Sequence, residues 1–133
     1  MENSKSVAVL GGGSFGTVLA NLAASNGYNV SLWVRDSEQA LRINSEGANT
    51  TYHPELKLSK NIIASDNLKE VLNDKSIIFI ATPSIVFEQI VIRVSDYIDE
   101  KPYLVSCTKG ILDDPFRPLS EIISSKLKNT IGV

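Results

Sequence analysis

The apolar positions of this chain fall into short uninterrupted runs, separated by segments in which they recur at helical spacing. The first run, VAVL at 7–10, has the pattern of a strand buried on both faces. Three glycines and an Ala/Leu-rich stretch follow it. Residues 6–10 therefore predict a strand, and 14–25 a helix ending at Asn26-Gly27, a suitable left-handed cap. The β-branched and aromatic run 28–34 predicts a second strand. Asp36 or Ser37 caps a short helix reaching Asn44, with Ala40, Leu41 and Ile43 as its apolar side. Over 45–61 the pattern breaks up around Gly47 and Pro54, which predicts a long loop. Residues 61–64 predict a third strand, Asp66 the cap of a helix over 68–73, and SIIFIA at 76–81 a fully buried fourth strand. Pro83 suits the first turn of a helix over 85–97, where Ile85, Val86, Ile90, Val91 and Val94 recur near helical spacing. PYLVS at 102–106 predicts a fifth strand, Thr108-Lys109-Gly110 a turn, and Leu119, Ile122, Ile123 and Leu127 a helix after Pro118. Residues 130–133 read as the start of one more strand. Such regular alternation implies a doubly wound α/β sheet.

The junction after the first strand carries candidate chemistry. Gly11, Gly13 and Gly16 stand at the G-x-G-x-x-G spacing of a dinucleotide-binding turn, and each has its own job. Gly11 lets the chain reverse, Gly13 leaves room for a diphosphate against bare backbone, and Gly16 lets the helix pack close to the strand. The free amides and positive end of the helix beginning near Ser14 then face the phosphate charge. In a doubly wound sheet ligands bind outside the carboxyl ends of the strands, so three segments should meet there. They are 11–16, 81–84 with Pro83, and 107–110 with Lys109.

Length and charge narrow the reading further. A chain of 133 residues is most simply one domain over 1–133, and a net charge of −2 without basic runs excludes a nucleic-acid partner. No stretch approaches the ~20 apolar residues of a membrane span, and MENSKS has no signal-peptide core, so a cytoplasmic protein is expected. One histidine and one cysteine without clustered carboxylates give no metal ligand set. Cys107 reads as a small buried residue. His53 invites an acid–base reading, set aside because its loop is remote in sequence from the strand ends. Tyr52 is either loop packing or a flap over the cofactor.

GGGSFGTVLA, LWVRD at 32–36, NTTYHPELKL at 49–58, IATPS at 80–84 and TKGI at 108–111 together resemble the amino-terminal domain of bacterial NAD(P)-dependent glycerol-3-phosphate dehydrogenase. The resemblance covers nearly the whole chain and implies a Rossmann-type fold, a mostly parallel sheet with helices on both faces. It also implies reversible reduction of dihydroxyacetone phosphate to sn-glycerol 3-phosphate, an oxidoreductase step feeding glycerophospholipid synthesis. The implied cofactor contacts fall on Ser14 and Phe15, on Arg35 with Asp36 beside it, and on Lys109, which also matches the family's substrate-contacting lysine. Phe15 stands for a frequent tryptophan, and His53, Glu55 and Ser59 stand where leucine, glycine and proline are common. Arg35 could pair with a 2′-phosphate and Asp36 could accept from a 2′-OH, so the cofactor is NAD or NADP, with a slight lean to NADP.

Family members continue into a helical second domain that supplies the proton-donating lysine and the substrate phosphate site, and form homodimers. The chain is therefore expected to be a fragment, able to hold cofactor and inactive alone. Two other readings stand beside this one. The first is another two-domain dehydrogenase, ketopantoate reductase-like or acting on sugar nucleotides, which the Thr-Lys-Gly and W-x-R-D segments oppose. The second is a stand-alone nucleotide-binding regulatory module.

Overall fold

The computed structural model describes residues 5–108, 111–113, 116–129 and 131–132, apart from the side chains of 111–113, 116–120, 125 and 126. Six strands form one parallel sheet, with helices in the crossovers between them. Strand β1 (Ser6–Leu10) leads through α1 (Ser14–Ser25) to β2 (Asn29–Trp33), and α2 (Ser37–Glu46) leads to β3 (Ile62–Ser65). Then come α3 (Leu68–Leu72), β4 (Ile77–Ile80), α4 (Ser84–Ser95) and β5 (Tyr103–Ser106). A hairpin of β6 (Ile111–Asp113) and β7 (Phe116–Pro118) precedes α5 (Leu119–Lys126) and β8 (Ile131–Gly132). The order across the sheet is β3-β2-β1-β4-β5-β8, with parallel pairing throughout. This is the strand order of a Rossmann sheet, whose direction of winding reverses between β1 and β4.

The unbroken apolar runs follow from burial on two faces. Val7 and Val9 of β1 pack with Ala20 and Ala24 of α1 and with Ala40 and Ile43 of α2. Ala8 and Leu10, pointing the other way, pack with Val71 of α3, Phe87, Ile90 and Val91 of α4, and Ile122 and Ile123 of α5. Strand side chains alternate between faces, so β1, covered on both sides, is apolar at every position from 7 to 10. Alanines at 20 and 24 let α1 lie close against the sheet.

Several boundaries differ from the sequence reading, each for a local reason. Asn67, not Asp66, caps α3, with its Oδ1 accepting from the Glu70 amide at 3.1 Å. The Asp66 carbonyl instead accepts from the Trp33 indole at 3.0 Å. Helix α4 starts at Ser84, so Pro83 is its N-cap residue with φ −57 and ψ 146, outside the first turn. Helix α2 runs to Glu46 and ends on Gly47, whose φ of 68 is left-handed. The β6–β7 hairpin has no counterpart in the sequence reading: its strands have three residues each, too few for a visible alternation.

Candidate functional site

The glycine turn joins β1 to α1 at the point where the sheet reverses its winding. Gly11 has φ +126, and a Cβ there would stand 2.6 Å from the Ala81 carbonyl oxygen at the end of β4. A Cβ on Gly16 would collide with the Gly11 carbonyl oxygen, so the first turn of α1 can sit on the end of β1 only without a side chain. Around Gly13 the space is open, with nothing within 4 Å of where a Cβ would lie. Gly13 is also the N-cap of α1, and no side chain caps the helix. The leading amides of a helix have no carbonyl one turn back, so here they face an open cradle and suit an anion.

A polar lattice behind the turn holds it in shape. Asn49, almost fully buried, donates from Nδ2 to the Gly12 carbonyl and to Thr17 Oγ1, both at 2.8 Å. Gln39 Nε2 donates to the same Gly12 carbonyl at 2.9 Å, and the Thr17 hydroxyl donates to the Gly13 carbonyl at 2.7 Å. The Gly12 and Gly13 carbonyls are thereby occupied from behind, and the Gly11 amide is taken by the Trp33 carbonyl at 2.9 Å. Neither Gln39 nor Asn49 stands out in the sequence, because they lie 27 and 37 residues from Gly12 and belong to no periodic pattern. His53 reaches α1 from the same loop: its Nε2 lies 2.9 Å from Ser14 Oγ and 3.0 Å from the Ser14 carbonyl oxygen. Remoteness in sequence is not remoteness in space here.

A cavity of about 630 Å³ lies over the ends of β1, β4 and β5. Of the residues expected in the site, Gly11, Gly13, Ser14, Phe15, Gly16, Arg35 and Pro83 line it. Lys109 lies outside the described residues. Asp36 does not line the cavity; its carboxylate accepts from the Glu38 amide at 3.0 Å as the cap of α2. Arg35 is exposed, makes no hydrogen bond or ion pair among the described residues, and also borders a smaller cavity of about 270 Å³ with Trp33, Asp66 and Arg93. The Arg93 guanidinium lies 5.5 Å from the Trp33 ring centre. Phe15 presents an aromatic side chain 58% exposed, and Tyr52 lines the cavity from the loop side.

The floor of the cavity is formed by the ends of β4 and β5. The Thr108 hydroxyl reaches the carbonyls of Ile80 at 3.1 Å and Thr82 at 2.7 Å, tying the two strand ends together. Thr82 Oγ1 is buried without a hydrogen-bond partner among the described residues, and Thr82 lines the cavity. Cys107 lines it too; it is half-buried, and burial pushes its thiol pKa above the usual 9.0. Among the described residues no three His, Cys, Asp or Glu side chains gather as a metal set, and no helix is long and apolar enough to cross a membrane.

Residues 6–133 match the family model described as NAD-dependent glycerol-3-phosphate dehydrogenase N-terminus. The chain is 41% identical over 133 residues to the glycerol-3-phosphate dehydrogenase (NAD(P)+) of Alcanivorax borkumensis, covering 99% of this chain and 39% of that protein. Its fold superposes with a TM-score of 0.89 on the crystal structure of glycerol-3-phosphate dehydrogenase from Coxiella burnetii, at 31% identity, over 96% of this chain and 39% of the other. A ketopantoate reductase from Ralstonia eutropha shares the fold alone, with a TM-score of 0.76 at 15% identity, over 95% of this chain and 39% of the other. The chain thus spans about two fifths of the length of these dehydrogenases. With its glycine turn, its Rossmann strand order and a match over nearly every residue, the chain belongs to the NAD-dependent glycerol-3-phosphate dehydrogenase family, to the part that forms the N-terminus.

Proposed function

We propose that this chain is the NAD(P)-binding domain, over 1–133, of an oxidoreductase that interconverts dihydroxyacetone phosphate and sn-glycerol 3-phosphate. The observation that carries the reading is the open space at Gly13, the uncapped start of α1, flanked by Gly11 and Gly16, where a side chain would collide. A dinucleotide diphosphate matches it in charge and in the shape of the bare backbone. When bound, the nicotinamide supplies the hydride; the chain's own residues hold and orient it. The turn and Ser14 take the diphosphate, Phe15 offers an aromatic face at the lip, and Pro83 and Cys107 border the nicotinamide end.

Arg35 supports NADP over NAD. It is exposed beside the end of β2, where an adenosine ribose lies in this fold, and a guanidinium can pair with a 2′-phosphate. Asp36, the residue suited to a 2′-OH, is engaged as the α2 cap. Lys109 we assign to the nicotinamide edge and the substrate on the family resemblance. The same membership supports a second, helical domain carrying the proton-transfer lysine, a homodimer, a cytoplasmic location and a place in glycerophospholipid synthesis. Calorimetric titration with NADPH and NADH tests the reading, together with nucleotide oxidation by the natural polypeptide in the presence of dihydroxyacetone phosphate. Saturable binding with NADPH tighter than NADH, and oxidation dependent on the triose phosphate, are expected. Failure to bind either nucleotide would end it.

A further inference from the structure

His53 reaches the glycine turn and has no role so far, and its geometry gives it one. The loop after α2 is fastened at both ends: Asn49 is buried against the turn, the His53 amide donates to the Asn49 carbonyl at 2.8 Å, and the Leu58 amide donates to the Gly47 carbonyl at 2.7 Å. The Ser59 amide adds a bond to Asn21 Oδ1 on α1 at 2.9 Å. The imidazole is thereby held over the first residue of α1, half-buried, with Nε2 facing both oxygens of Ser14.

Those two oxygens fix the proton. A carbonyl oxygen can only accept, so a 3.0 Å approach is favourable only if Nε2 carries hydrogen; a lone pair there would face another lone pair. With Nε2–H donating, Ser14 Oγ is an acceptor from His53 and its own hydroxyl hydrogen is released. Among the described residues Ser14 Oγ has no other hydrogen-bond partner, and Ser14 lines the cavity next to the open space at Gly13. We propose that His53 is a positioning residue that turns the Ser14 hydroxyl into a donor to a diphosphate oxygen of the bound dinucleotide. It acts through Ser14 and touches no ligand atom itself. The inference rests on the cofactor reading above and adds to it the residue that orients the diphosphate contact.

The test is a set of variants in the natural polypeptide that carries this chain, titrated with NADPH and with two probes. ADP-ribose keeps the diphosphate, and adenosine 2′-monophosphate lacks it. His53→Leu should weaken NADPH and ADP-ribose by about tenfold, the worth of one hydrogen bond to an anion, and leave adenosine 2′-monophosphate unchanged. His53→Gln, whose amide can donate from a similar place, should stay within about twofold of the unaltered protein. Ser14→Ala should reproduce the loss, and His53→Leu added to Ser14→Ala should weaken binding no further, since the two act as one unit. Equal weakening of all probes by His53→Leu would mean that the loop alone has collapsed, and fully additive losses would mean that His53 acts independently of Ser14; either overturns the proposal. Because His53→Leu could fail to fold, the comparison of His53→Gln with Ser14→Ala stands alone: equal damage from the two substitutions also overturns it. If the unaltered protein binds no nucleotide, both readings fall; if it binds and His53→Leu changes nothing, only this one does.

Discussion

Alanine substitutions at Gly13 and Gly16, made separately, should divide what the turn does for folding from what it does for binding. At Gly16 a Cβ runs into the Gly11 carbonyl oxygen and stands 3.0 Å from the Gly11 carbonyl carbon. Both groups are main chain, so neither can swing aside, and α1 must back away from β1 by about an ångström to restore normal contact. Overpacking of this kind costs about 3 kcal/mol at its upper end, and the helix propensity gained on replacing glycine returns about 1. The net loss of about 2 kcal/mol, set against an unfolding entropy of about 0.28 kcal/mol per kelvin for 133 residues, lowers Tm by about 7 °C. Displacing the helix amides by that ångström should also weaken NADPH by about tenfold or more. At Gly13 no atom lies within 4 Å of the added methyl, and φ of −81 is ordinary for alanine. Gly13→Ala should therefore leave Tm within about 2 °C while reducing NADPH affinity by about tenfold, because the methyl occupies space kept for the ligand. Calorimetry in the presence and absence of nucleotide reads both quantities. Unimpaired binding by Gly13→Ala would remove the diphosphate from this corner, and an unshifted Tm in Gly16→Ala would refute the close-packing argument.

Arg35→Gln should raise the NADPH dissociation constant by about 10- to 100-fold, the range of a charge-assisted contact, and leave NADH within about twofold; an unchanged ratio of the two would sink the 2′-phosphate assignment. Asn49→Ala strips two donated bonds from the back of the turn and leaves the Gly12 carbonyl with only Gln39, which should destabilise the fold by about 2 kcal/mol in urea titration; a loss under about 0.5 would show that the lattice is dispensable. Burial raises the Cys107 pKa, so at any pH below full ionisation less of it is thiolate than of a free cysteine, and iodoacetamide should react with it more slowly than with a free thiol in the same buffer. NADPH should slow it further by covering the cavity. A rate that levels off at a lower pH than that of a free cysteine would contradict the burial effect.

The part of the fold that could be read from the chain is the part set by local pattern. Residues 7–10 and 76–81 announce buried strands because they must be apolar on both faces, and Gly11, Gly13 and Gly16 announce the turn by their spacing, although the carbonyl that excludes a side chain at Gly11 belongs to Ala81 at the end of β4. What escaped was decided by partners far along the chain. Asp66 and Asn67 are equally good caps; the Trp33 indole, 33 residues away, settles the matter by taking the Asp66 carbonyl. Gln39, Asn49 and His53 lie on a helix and in a loop whose residue types promise only solvation, and nothing before folding tells them that Gly12 and Ser14 are their neighbours. Asp36 is readable as a cap of α2, and the structure bears that out; what the sequence does not show is that capping turns its carboxylate away from the cavity that Arg35 lines.

The Thr108 hydroxyl stitches β5 to β4 on the far side of the crevice from the glycine corner, which itself leans on the Ala81 main chain. Both walls are therefore anchored to one tether, the carboxyl end of β4. The gap between them is thereby referred to a single strand end, so a substitution that shifts residues 81–82 should move both walls at once.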